Sequence, residues 1–305
     1  MLYNLITVLG PTASGKTKLA TRLSAVFDGE IISCDSRQFF RRMNIGTGKD
    51  YEDYFTNGKK IPAHLIDILD PADDYDVFHF QRDFASAYKD IASRNKLPFL
   101  VGGSGMYLSS VLQSYRFVPV NFDSERAKAL DILDEDQLRG ILMKLSPSLH
   151  NTTDLIEKER IIKAILLAEE SLRAEERKQE SGLKSLTLGV FPDRAVVKER
   201  ISRRLEKRFM EGMIEEVEGL LRDGISRERL KFFGLEYKFI TLYLSEELSL
   251  PDMKEKLRFA IFDFAKRQMT WFRRMEKQGV LIHHLQEPYF ENACMHIREA
   301  MGAHE

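Results

Sequence analysis

A chain of 305 residues in which 43% of side chains are hydrophobic has apolar material for about two domain cores. Its 46 basic and 47 acidic side chains leave a net charge of −1, which argues against a general nucleic-acid coat protein and confines polyanion binding to local patches. The two cysteines, Cys34 and Cys294, support neither a disulfide framework nor a cysteine-rich zinc site, and no apolar run approaches the ~20 residues of a membrane span. With no secretory signal pattern at its start, the chain is expected to be cytoplasmic and free of membrane contact.

In chain order, an apolar run over 5–9 predicts the first strand, and Gly10-Pro11-Thr12-Ala13-Ser14-Gly15-Lys16-Thr17 follows it directly. A helical pattern opens at Lys18. The spacing G-x-x-x-x-G-K-[ST] between strand and helix lets several backbone N–H groups converge on one anion, aided by the helix N-terminus. In such a cradle Lys16 reaches phosphate oxygens and the Thr17 hydroxyl ligates magnesium.

A second strand over 30–34 ends at Asp35, and a third over 97–101 ends at Gly102-Gly103-Ser104-Gly105. Between them, Phe80, Phe84, Ala87, Tyr88 and Ile91 mark a helix over 78–95. Strands alternating with helices predict an α/β fold, a P-loop NTPase-like parallel sheet flanked by helices. Ligands of such sheets sit at the strand C-termini, so 10–17, Asp35 and 102–105 should share one rim.

The segment 121–182 is charged, helix-rich and without a strand candidate, and reads as a helical insertion domain. It divides the core into a first part over 1–120 and a second over 183–305. The second part holds a strand over 186–191, one long helix over 196–222, a last helix over 252–277 and a strand over 280–285. The long helix should bury Ile201, Leu205, Phe209, Ile214, Val217 and Leu221 and turn Lys198, Arg200, Arg203, Arg204, Lys207 and Arg208 the other way, as a solvated face or an RNA contact. Trp271 and Phe264 read as core anchors, with Arg267, Gln268 and Arg273 left as candidates for phosphate or RNA. The seven histidines show no metal-ligand spacing, and the tail after Glu287 carries no pattern.

Asp35, at a strand end beside the cradle, suits a general base, a second-shell magnesium ligand or a helix cap. Arg37 and Gln38 offer planar hydrogen-bonding groups to a base or phosphate. The glycines of 102–105 admit close ligand approach or are plain turn punctuation.

Taken together, GPTASGKT from Gly10, DSRQ from Asp35, IGTGK from Ile45, AHLIDIL from Ala63, GGSGMY from Gly102, ERIIKA from Glu159, RRLEKRFMEGMIEEVEGLL from Arg203 and AKRQMTWFRR from Ala265 resemble the bacterial tRNA dimethylallyltransferase family over nearly the whole chain. The resemblance implies transfer of a dimethylallyl group from dimethylallyl diphosphate to N6 of the adenine 3′ of the anticodon, in tRNAs reading codons that begin with U. It implies that residues 10–17 hold the allylic diphosphate, that Thr17 holds Mg2+ and that Asp35 is the base. Asp35, Ser36, Arg37, Gln38, Ser104 and Arg126 then match tRNA contacts, and Lys238 a diphosphate-reaching cation. The partners implied are the tRNA anticodon loop and the allylic donor, with the chain acting as a monomer.

The chain departs from the family pattern where Leu235-Glu236-Tyr237-Lys238-Phe239 lacks the usual glycine and acid, and where Ile261-Phe262-Asp263 replaces Thr-Arg-Gln. The competing readings are a phosphate-loop small-molecule kinase binding ATP, an adenylate isopentenyltransferase acting on a free nucleotide, and a non-catalytic nucleotide-dependent RNA-binding protein.

Overall fold

The computed structural model describes residues 3–113, 124–145, 158–175 and 182–302. Two compact units result, one from 1–113 with 183–305 and the other from 114–182. The expected boundary at 120/121 lies outside the described residues.

The larger unit is built on six parallel strands: β1 (Leu5–Leu9), β2 (Gly29–Cys34), β5 (Ala63–His64), β6 (Leu97–Gly102), β7 (Ser185–Val190) and β8 (Ile282–Leu285). Their order is β5-β2-β6-β1-β7-β8, and a separate two-stranded hairpin pairs β3 (Phe55–Thr56) with β4 (Lys59–Lys60). Near-continuous apolar runs suit a sheet covered on both faces. Successive residues then serve opposite cores: Leu5, Leu9, Ile32 and Leu100 face one side, Ile6, Val8, Ile31 and Phe99 the other.

Register fixes where the ligand rim lies. Leu9 pairs with Gly102 on one side and Gly189 on the other, while Cys34 also pairs with Gly102. The C-terminal ends of β1, β2 and β6 are therefore level, and the three loops that follow start together. Gly102 is required there, because a Cβ would lie 2.0 Å from the Cys34 carbonyl oxygen.

One face carries the helix Lys16–Val26 and the C-terminal helix Phe290–Met301, which bury Leu19, Leu23, Ala293 and Ile297. That last helix answers the tail that carried no expectation; Phe290, Ala293, Cys294 and Ile297 hold its three-to-four-residue spacing. The other face carries Val77–Ser93, capped by the Asp76 carboxylate accepting from the His79 amide at 2.9 Å, and Leu250–Lys277, capped by Ser249 with Pro251 in its first turn.

The long helix expected over 196–222 is two helices, Arg194–Met210 and Met213–Arg222. Gly212 separates them with φ 95°, a left-handed conformation that stops one helix and lets the next start in a new direction. Ile201, Leu205 and Val217 are buried as expected, whereas Phe209, Ile214 and Leu221 are only partly so. The break has a use: it aims Glu216 at the loop after β2, where its carboxylate accepts from the amides of Asn44, Ile45 and Gly46 at 2.8, 2.8 and 3.0 Å.

The smaller unit, among its described residues, consists of the helices Glu125–Asp131, Glu135–Leu145 and Lys158–Glu175 around Leu130, Leu138, Leu142, Ile161 and Ile165. The rest of 121–182, namely 121–123, 146–157 and 176–181, lies outside the described residues.

Candidate active site

A cleft of about 1360 Å³ opens at the level rim and is lined by the phosphate loop from Thr12, by Asp35 to Gln38, and by the turn from Gly102 to Tyr107. The sequence-predicted convergence of three strand-end loops is therefore met. Ser104 Oγ stitches two of them, accepting from the Ser36 amide at 3.0 Å, and the Ser104 amide donates to the Cys34 carbonyl at 3.3 Å.

Within the loop Ala13 and Gly15 take positive φ of 61° and 87°, curling the backbone ahead of the helix that begins at Lys16. Gly10 and Pro11 shape the loop from behind rather than line the cleft. A Cβ on Gly10 would lie 2.5 Å from the Val190 carbonyl oxygen, and the Pro11 carbonyl accepts from Lys16 Nζ at 3.2 Å. The Thr12 amide donates to Gln268 Oε1 at 2.8 Å and the Ser14 amide to the Pro11 carbonyl. Among the described residues this leaves the amides of Ala13, Gly15, Lys16 and Thr17 without a protein acceptor, free for an anion.

Gln268 stands among core positions of its helix, Ala265 and Phe272, and also donates to the Gly103 carbonyl at 2.9 Å. It is thus a clamp between two ligand loops, not the open RNA contact its motif left possible. Trp271 donates its indole N–H to Ser109 at 2.9 Å and forms cleft wall, while Phe264, expected as a core anchor, is exposed.

The basic helix supplies the cleft's charge. Arg200, Arg203, Arg204, Lys207 and Arg208 all reach its lining, and Arg204 hydrogen-bonds the Thr12 hydroxyl. The i, i+4 spacing of Arg200, Arg204 and Arg208 is the signal that puts these three on one helix face. At one end of that face Arg208 is only 4% exposed, and its Nη1 and Nη2 lie 3.9 Å from Glu236 and 3.7 Å from Asp50, while Arg200 and Arg204 are half-buried.

Desolvation dominates the titration of these groups. It lowers Lys16 to about 8 against the opposing pull of Asp35, with Arg204 adding to the fall. Arg204 is lowered to about 10 by burial and by Arg208. Burial raises the Glu236 carboxyl against the attraction of Arg208 and Arg204. The acid that stands where a glycine was expected is thus a cleft residue facing the cations.

Asp35 Oδ1 accepts from the Arg37 amide at 3.1 Å, which fixes the carboxylate at the strand end. Gln38 lines the cleft while its side chain bridges Ser33 and the Gly48 carbonyl. One anticipated position stands elsewhere. Lys238 is exposed and absent from the cleft lining, because residues 235 and 236 take the cleft-facing side of the helix Leu235–Leu244 and two residues further on is about 200° around. Arg126, in the smaller unit, is paired with Glu169, its Nε 3.1 Å from both carboxylate oxygens.

Thr17 lines the cleft with Asp35, offering one hydroxyl and one carboxylate, the hard oxygen donors that magnesium accepts. Among the described residues no group of three or more His, Cys, Asp or Glu forms a metal cage. Such a donor set fits an ion held chiefly by substrate phosphates and water. No helix of the described residues is long and apolar enough to cross a membrane.

Comparison with known proteins places this cleft in a family. The model of the IPP transferase family matches residues 38–275. The chain is 51% identical over 286 residues to tRNA dimethylallyltransferase 2 of Phocaeicola vulgatus, covering 93% of this chain and 92% of the relative. It is 47% identical over 302 residues to tRNA dimethylallyltransferase 1 of Geotalea daltonii, covering 99% and 95%. Among solved structures, the full-length tRNA isopentenylpyrophosphate transferase of Bacillus halodurans superposes with a TM-score of 0.69 at 28% identity, over 98% of this chain and 95% of that one. Matches of this extent, over a cleft whose three motif loops meet at one rim, settle membership: the chain belongs to the IPP transferase family, that of the tRNA dimethylallyltransferases.

Proposed function

We propose that the chain transfers a dimethylallyl group from dimethylallyl diphosphate to N6 of the adenine immediately 3′ of the anticodon, in tRNAs reading codons that begin with U. The observation that carries this reading is the meeting of an anion cradle, a strand-end carboxylate and the glycine-rich turn 102–105 in one cleft.

The diphosphate lies on the amides of Ala13, Gly15, Lys16 and Thr17. As the allylic C–O bond breaks, the bonding pair leaves with the diphosphate, and Lys16 and Arg204 face the growing charge from desolvated positions where each interaction is strong. Magnesium held by the Thr17 hydroxyl would neutralise part of the same charge. The adenine N6 lone pair forms the new C–N bond, and the Asp35 carboxylate takes the N6 proton as it does so. An adenine stacked in the anticodon loop must first be extruded, at on the order of a few kcal/mol. Ser36, Arg37, Gln38 and Ser104, beside Asp35, supply contacts that offset this cost.

The deciding experiment incubates the protein with magnesium, unmodified tRNA and radiolabelled dimethylallyl diphosphate, then digests the RNA to nucleosides. Label is expected on adenosine, and on the anticodon-loop fragment when the same RNA is cut with a base-specific ribonuclease instead. Label on added AMP instead would select a free-nucleotide transferase, and ATP-dependent phosphorylation of a small metabolite without prenyl transfer would select a kinase.

A further inference from the structure

Phe232, the last residue of the helix Arg227–Phe232, is 65% exposed yet belongs to the cleft wall. Its neighbour Phe233 is buried and packs edge-to-face against Phe40 at 4.7 Å between ring centroids, so the short helix is anchored by the second ring and presents the first. Two guanidinium groups flank the exposed ring, Arg37 at 5.6 Å and Arg229 at 5.8 Å from its centroid. The Arg37 side chain lies along the backbone at Gly234, whose φ is 133°, with Nε 3.6 Å from where a Cβ would stand. Arg229 is itself fixed by the Asp74 carboxylate at 2.7 Å and by the Pro71 carbonyl at 2.9 Å.

A singly exposed phenylalanine is ordinary, but one on a cleft wall with two guanidinium groups beside it is placed to be covered by a ligand. Here the surroundings define that partner: a flat π-system able to lie on the ring, carried on an anionic backbone that two guanidinium groups attract. Nucleobases of a single strand satisfy both terms, and any base has a stacking face. The position selects which base. Arg37 follows Asp35 by two residues, so the ring stands beside the route by which an acceptor base reaches the carboxylate, and extrusion of that base leaves its chain neighbour unstacked.

We infer that Phe232, with Arg37 and Arg229, is a stacking platform for the nucleotide flanking the acceptor adenine, and so a specificity-determining residue for the RNA. This rests on the RNA reading of the same cleft. A platform of this kind replaces the loop stacking lost on extrusion and makes acceptance depend on the neighbour's base.

The test is a double-mutant cycle on the full chain, using an unmodified anticodon stem-loop RNA and the same RNA made abasic at each nucleotide flanking the acceptor. Phe232→Ala should raise the KM for the intact RNA by roughly 5- to 150-fold, the range lost with one base–aromatic stack, with kcat for bound RNA little changed. Phe232→Trp should restore the KM, and Phe232→Leu should fall between. Removing the one base that stacks should weaken the wild-type chain to the same degree and cost Phe232→Ala nothing further. An unchanged KM for Phe232→Ala, or penalties that simply multiply at both flanking positions while wild-type transfer is normal, overturns the platform alone. A wild-type chain that neither binds nor prenylates the stem-loop overturns the platform and the RNA reading together. Because the ring is exposed, the thermal midpoint of Phe232→Ala should match the wild type, which separates lost stacking from lost folding.

Discussion

The two ends of the cleft use positive charge in opposite ways. At the cradle Lys16 and Arg204 are desolvated, held against the phosphate loop and lowered toward neutrality, so they are poised for an anion and unsettled without one. At the mouth Arg37 and Arg229 lie beside an exposed aromatic ring, where a charge attracts a backbone and a plane supports a base. The first arrangement serves charge that develops during bond breaking, and the second serves recognition. A nearly neutral protein can therefore handle a polyanion, because its cations are sorted by burial rather than summed.

The largest effect that sharpens this contrast should come from Lys16→Ala, which removes a half-buried cation from the leaving group. Transfer should slow by about 10²- to 10³-fold, as for loss of one preorganised donor, with RNA affinity intact. Rapid-quench transfer assays beside filter binding would show it, and a parallel loss of RNA affinity would erase the distinction between the two ends. Next comes the loss of RNA affinity expected of Phe232→Ala at the mouth, with the bound rate preserved.

Lys16 also sets a pH dependence. Its ammonium is protonated below about pH 8 in the free protein and lost above it, so kcat/KM for the allylic donor should fall about tenfold per unit on the alkaline side. A flat profile to pH 9.5 would mean that Lys16 keeps its proton in the cleft. A smaller effect is expected at the clamp: Gln268→Leu leaves the Thr12 N–H and the Gly103 carbonyl without their partner and should cost about 1–3 kcal/mol in denaturant unfolding. Smallest for catalysis is Glu30→Gln, far from both ends. Arg94 and His64 hold the Glu30 carboxyl down at about 2, so its stability contribution is present above about pH 4.5 and lost as pH falls toward 2. The variant should flatten the acid limb of a stability profile and leave transfer unchanged.

Much of the rim was legible because strand order and loop motifs are local signals. The runs over 5–9, 30–34 and 97–101 read as strands, and the parallel register then forces Gly10, Asp35 and Gly102 to one level. What escaped depends on tertiary direction. Gly212 inside a helical pattern reads as a tolerated glycine, and only packing shows that it turns Glu216 toward the 44–46 amides. Ala63–His64 is too short to carry a period, and the string Lys231-Phe232-Phe233-Gly234 has no alternation to say which ring is buried. Motif likeness also misplaced a side chain: Lys238 keeps the expected chemistry but faces away, while Glu236, counted as a departure, faces in.

The central claim is that Asp35 acts on the acceptor's proton rather than holding the RNA or the loops. Asp35→Ala measures it most directly, with single-turnover transfer and tRNA affinity read on the same preparation. The account predicts that transfer is abolished while tRNA binds nearly as tightly as to the wild type. Equal loss of binding and transfer would contradict it and leave Asp35 a structural residue.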